Sequence, residues 1–126
     1  GHRSTGREGL AHRRVLVVED EAAVALDLKY TLQAAGCTVV GPLARLDDAL
    51  RTAAEEPIDL ALLDIGVGGE PVFPVADRLA ARAIPFVFLT GYDRSILPPH
   101  LQERPICRKP HSPRHLLVVL KTALSR

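Results

Sequence analysis

Residues 15–21 read VLVVEDE: four strand-forming apolar residues, then at once three acids, Glu19, Asp20 and Glu21. A run that stays apolar at every position, instead of alternating, suits a strand covered on both faces. The acids then stand at its carboxyl end. Two readings compete there. The acids charge and cap the start of the next helix, where negative charge is favoured, or some of them converge with other residues on a cation. The remainder of the chain discriminates between the two.

Working outward, further short apolar runs occur at 38–42, 58–63 and 85–89, with a weaker one at 105–107. The stretches between them have helical spacing. Residues 21–35 place Val24, Leu28, Thr31, Leu32 and Ala35 on one face, and Gly36 supplies a stop. Residues 45–56 group Leu46, Ala49, Leu50 and Ala53 and end at Pro57. Residues 72–82 follow a Gly-Gly turn and Pro71, and 112–124 open with Ser112 as N-cap and Pro113 at the first helical position. Between Thr90 and Pro105 the pattern fails. Pro98 and Pro99 break it, so a fourth helix there is expected to be short or irregular.

Strand and helix alternating in this way predict an α/β fold, a doubly wound five-stranded parallel sheet. By analogy with flavodoxin-like sheets, the expected strand order is 2-1-3-4-5. Ligands of such sheets lie outside the carboxyl ends of the strands. Those ends are Glu19 and Asp20 on strand one, Asp64 on strand three, Thr90 on strand four and Lys109 on strand five. Each has a bland reading as a cap, a turn residue or a solvated charge. Their coincidence on one rim favours a shared task. Crowded carboxylates repel and need neutralising. An oxygen-only donor set selects a hard cation, and magnesium suits a site with few protein ligands. Asp64, at the lip of the central strand, could then attack a phosphorus atom. Lys109 would supply charge to the phosphoryl oxygens and Thr90 a hydrogen bond. Glu21 is left to charge the first turn of the helix.

Length and composition bound these readings. The chain has 126 residues, enough for one domain with its own core. Hydrophobic residues make up 47%, charged residues 25%, and the net charge is +1, which does not favour nucleic acid as a direct partner. Residues 1–13 are rich in arginine, lack apolar periodicity and are expected to be a basic flexible arm or linker, with the domain spanning 14–126. A phosphate-binding arm is the sharper alternative for that segment. Cys37 and Cys107 have no metal-type spacing. They fall on strands two and five, the opposite edges of the expected sheet, too far apart to pair with each other. No secretory signal and no run near the ~18 apolar residues of a membrane span is present, so the expectation is cytoplasmic, with no membrane partner. The chain contains no methionine. Either an initiator preceded Gly1, or the sequence is a piece of a longer protein such as a hybrid kinase.

The pieces VLVVEDE (15–21), LALLDIG (60–66), FLTG (88–91) and RKP (108–110), in that order and spacing, resemble the receiver domain of two-component response regulators. The resemblance runs from about Arg14 to Leu124. It implies that Asp64 is the phosphoacceptor. It implies that Asp20 and Asp64 ligate magnesium with the backbone carbonyl of Gly66, and that Glu19 acts mainly through water. Thr90 and Lys109 would be the switch hydroxyl and the phosphate-sensing lysine. PFVFLTGYD (85–93) and DIGVGGEPVFPVADRLAARAIP (64–85) look like the FAT GUY receivers of alphaproteobacteria, with Leu89 where that motif has alanine. Members of that subfamily occur as single-domain regulators and attached to sensor kinases, some in stress signalling.

Departures qualify the match. Ile106 stands where receivers usually carry an aromatic switch residue, so Tyr92 either covers the site in its place or is a loop aromatic. Gly66 replaces a polar residue, and His111 stands where an aromatic is common; no catalytic role is assigned to it. The implied function is a signalling domain, not an enzyme beyond its own phosphorylation and dephosphorylation. Its partners would be a histidine kinase or phosphotransfer protein and an unnamed output protein. A receiver-shaped interaction module without a phosphorylation cycle is the alternative. A flavodoxin-like carrier is disfavoured by the acids after strand one, a P-loop enzyme by the absent motif, and a haloacid-dehalogenase-type phosphatase by Gly66 in place of a second carboxylate.

Overall fold

Alternate residues of the central strands feed two cores, as a doubly covered sheet requires. In a computed structural model that describes residues 9–109 and 112–125, the order is β1 (Arg14–Val18), α1 (Ala22–Ala34), β2 (Thr38–Leu43), α2 (Leu46–Glu55) and β3 (Leu60–Asp64). A hairpin of β4 (Gly66–Val67) and β5 (Glu70–Pro71) follows, then α3 (Phe73–Ala81) and β6 (Phe86–Thr90). Two 3-10 turns (Arg94–Ile96 and Pro99–Leu101), β7 (Ile106–Arg108) and α4 (Pro113–Leu124) complete the chain. Residues 1–8 of the expected arm, Pro110 and His111 lie outside the described residues.

The main sheet has the order β2-β1-β3-β6-β7, with every pairing parallel. This is the expected 2-1-3-4-5 order, since the hairpin takes two of the strand numbers. Leu16, Val18, Ala61, Leu63, Phe86 and Phe88 face α2, α3 and the 3-10 turns. Val15, Val17, Leu60, Leu62, Val87 and Leu89 face α1 and α4. Phe88 packs edge-on to Phe86 and Phe73, at centroid distances of 5.5 and 6.0 Å. Ser112 caps α4 as expected, accepting the His115 N–H at 3.1 Å. Cys37 and Cys107 are buried and free, just before β2 and on β7, at opposite edges of the sheet. Among the described residues no helix is long and apolar enough to cross a membrane.

Two local features go beyond the sequence reading. Leu10, within the stretch read as an arm, is fully buried against α1 and α4. The His12 N–H donates to Gly36 O at 2.8 Å, and Cys37 Sγ–H to Leu10 O at 3.4 Å. The packed unit therefore begins ahead of β1. One leucine in a polar stretch gives no periodicity, so its burial left no mark in the pattern. The segment between β6 and β7 is irregular, as expected, but it is well anchored. Leu97 and Leu101 are buried in the α2–α3 core. Asp93 accepts the Ser95 N–H at 2.9 Å, and Arg94 Nη1 donates to Gln102 O at 3.0 Å. His100 Nε2 lies 2.9 Å from Asp77 on α3.

Candidate functional site

Strand register assembles the rim. Val18 pairs with Leu63, so Glu19 and Asp64 leave neighbouring strands side by side. Thr90 pairs with Arg108, and the Lys109 N–H donates to Thr90 O at 2.8 Å. Glu19 is tied to the other neighbour as well, its N–H donating to Leu43 O at 2.9 Å. That contact needs the β1–β2 register shift at Gly41, whose φ is +101°. A Cβ there would lie 2.8 Å from Leu43 N and 2.9 Å from Val17 O, so only glycine fits.

Lys109 Nζ donates to Asp64 Oδ2 at 3.2 Å and to Glu19 Oε2 at 3.4 Å. Asp20 Oδ2 accepts the Gly68 N–H at 2.7 Å. Glu19, Asp20 and Asp64 each offer an oxygen within 4.8 Å of the others, a set that could hold a metal ion. The donors are all oxygen, which fits a hard cation such as magnesium. Gly66, the implied carbonyl donor, is exposed, and its N–H lies 3.4 Å from Asp64 Oδ1.

Not every implicated residue meets this cluster. Glu21 is the N-cap of α1, yet its side chain caps no amide, and no acid lies in the helix's first turn. The Glu21 N–H instead donates to Glu19 Oε1 at 3.0 Å. Thr90 is buried, and its hydroxyl accepts the Tyr92 N–H at 2.9 Å. Tyr92 is 67% exposed. Ile106 pairs with Phe88, below the rim, and packs with the core under the 3-10 turns. Gly68 was missed as a site residue. Its signal, a Gly-Gly pair between two short segments, marks a turn but does not name the long-range acceptor.

Burial is the main reason that the Glu19 carboxyl, only 1% exposed, is pushed up to about 7, with a hydrogen bond and repulsion from Asp64 adding to it. The Glu21 amide and Lys109 oppose the shift. Burial would lower Lys109, but Asp64 and Glu19 outweigh it and hold the ammonium above its ordinary range. The unfolded chain ionises Glu19 near its ordinary 4.5, while the folded, metal-free protein keeps the proton to about 7. The stabilising contribution is thus full below 4.5 and lost as the pH rises through 7. In chelator, urea midpoints should fall across that window, and Glu19→Gln should flatten the fall. A wild-type profile without that decline would refute the assignment.

No model of a known protein family matches the chain. Individual proteins do. The solution structure of SdrG from Sphingomonas melonis Fr1 is 35% identical, with 94% of this chain and 98% of that one covered at a TM-score of 0.78. The crystal structure of the response regulator PhyR from Brucella abortus is 27% identical, covering 95% of this chain and 51% of that one at a TM-score of 0.79. The phyllosphere-induced regulator PhyR of Methylorubrum extorquens is 28% identical over 117 residues, 87% of this chain and 43% of that protein. The chain therefore spans less than half of that curated relative. The receiver domain of the sensor histidine kinase PA1611 from Pseudomonas aeruginosa PAO1, with magnesium coordinated in its active site cleft, shares the fold at 21% identity. It is covered over its full length, and 92% of this chain, at a TM-score of 0.79. With the sheet order, the acidic rim and its lysine already in place, these matches show that the chain belongs to the receiver-domain family of response regulators and resembles its FAT GUY subfamily.

Proposed function

We propose that this receiver domain accepts a phosphoryl group on Asp64 from a histidine kinase or phosphotransfer protein, with magnesium, and passes the change on through a protein contact. The observation that carries the reading is the Lys109 ammonium 3.2 Å from Asp64 at the lip of the central strand, beside Glu19 and Asp20. Asp20, Asp64 and the Gly66 carbonyl would hold the cation, with Glu19 acting mainly through water. Bound magnesium would offset the clustered carboxylates and the negative charge of the incoming phosphoryl group.

In the transfer, an Asp64 oxygen forms a bond to phosphorus as the bond from phosphorus to the donor's imidazole nitrogen breaks. The electron pair stays on that nitrogen. Lys109 moves its hydrogen bond from the carboxylate to a phosphoryl oxygen, and Thr90 donates its hydroxyl to another. The domain does this as a substrate of its own modification, with no further enzymatic activity. Incubation with a small acyl phosphate should add the mass of one phosphoryl group only when magnesium is present, and hydroxylamine should remove it. No gain in mass in either condition would sink the proposal and favour an interaction module without phosphorylation.

Signal output is assigned to Thr90 and the segment after it. When its hydroxyl turns to the phosphoryl group, the Tyr92 N–H loses its acceptor, and the exposed ring is free to move. Ile106, packed below the rim, has no ring to swing. Hydrogen exchange with magnesium and beryllofluoride should therefore change over 91–103, as expected where a segment reorders. Identical exchange there, with changes elsewhere, would remove this segment as the output element.

A further inference from the structure

The glycines at the tip of the β4–β5 hairpin have φ of +59° and +80°. They form the left-handed pair required by a two-residue type I′ turn between Val67 and Glu70. Such a turn pairs the residues flanking it and leaves the first tip amide pointing outward, without a partner in the turn. Here that amide, on Gly68, donates to Asp20 Oδ2 at 2.7 Å, across 48 positions of sequence. The hairpin is fixed at its base. Val67 is fully buried in the α2–α3 core, and the Val72 N–H closes on Ile65 O at 2.8 Å. Lys109 reaches Glu19 and Asp64. Among the described residues, the donor that reaches the exposed Asp20 carboxylate is the hairpin tip.

We infer that the Gly68 amide is a positioning group for the cation ligand Asp20: the hairpin tip holds one carboxylate oxygen so that the other is already aimed into the rim. This rests on reading the rim as a magnesium site. A carboxylate held by a rigid donor loses little further freedom when a cation arrives, which is how outer hydrogen bonds raise metal affinity. It also gives the Gly-Gly pair a task beyond the turn. L-proline at 68 would remove the amide and require a φ of the opposite sign.

Chemical synthesis separates the amide from the turn. Gly68→D-Pro keeps φ near +65°, the mirror image of L-proline, and has no N–H. Gly68→D-Ala accepts the same φ and keeps the N–H. Titrated with magnesium alone, Gly68→D-Pro should bind about tenfold more weakly than wild type or worse, and Gly68→D-Ala within about twofold of it. Wild-type affinity in Gly68→D-Pro would overturn the inference and leave the function reading standing. No magnesium binding by the wild type would overturn both. A second measurement needs no synthesis: the Gly68 amide should exchange slowly in metal-free wild type and rapidly in Asp20→Ala. Rapid exchange in the wild type would overturn the inference by itself.

Discussion

Asp64→Asn should take up no phosphoryl group under conditions in which the wild type is modified. An amide oxygen carries no charge to direct at phosphorus, so the step itself is lost, and the other carboxylate that Lys109 reaches among the described residues, Glu19, is buried at the end of β1. The fold should survive. The introduced amide can still accept from Lys109 through its side-chain oxygen, and the β3 pairing to β1 and β6 runs through the backbone. One internal check accompanies the loss. Asp64 contributes to the raised Glu19 carboxyl but burial contributes more, so in Asp64→Asn Glu19 should move part of the way back toward its ordinary range. Intact mass after incubation with donor and magnesium reads the first effect, and carboxyl NMR titration reads the second. Full modification of Asp64→Asn would place the acceptor elsewhere.

Asp20→Asn should bind magnesium at least about a hundredfold more weakly, because a unit charge about 4 Å from a cation at an effective dielectric near 20 is worth ~4 kcal/mol per charge, and water recovers only part of it. The geometry of the rim should change little. The new side-chain amide oxygen can still accept the Gly68 N–H. In the absence of metal the sign reverses: above pH 7, where Glu19 is ionised as well, one of three clustered carboxylates is made neutral, so repulsion falls and Asp20→Asn should melt at or above the wild-type temperature. Added magnesium should then raise the melting temperature of the wild type and leave that of Asp20→Asn nearly unmoved. Equal magnesium stabilisation of the two proteins would remove Asp20 from the ligand set.

The amino-acid sequence by itself determined the layers and, once the flavodoxin-like strand order was adopted by analogy, the membership of the rim. Faces are a matter of local periodicity, and the short, continuously apolar runs on β1, β3 and β6 suit strands covered on both sides. In a parallel sheet the carboxyl ends of the strands share one edge, so Glu19, Asp20, Asp64 and Lys109 could be grouped without any coordinates. Tertiary structure alone decided how each group is used. That Glu21 caps nothing, that Glu19 is buried deeply enough to hold its proton to about 7, and that Ile106 lies below the rim follow from register and packing. The same holds for Leu10, buried from within a polar stretch, and for Leu97 and Leu101, which anchor a segment without helical spacing. The Gly68–Asp20 bond is the clearest case. A Gly-Gly pair announces a turn locally, but where its outward amide points depends on how β3, the hairpin base and Val67 pack, and those contacts exist only after the chain has closed on itself.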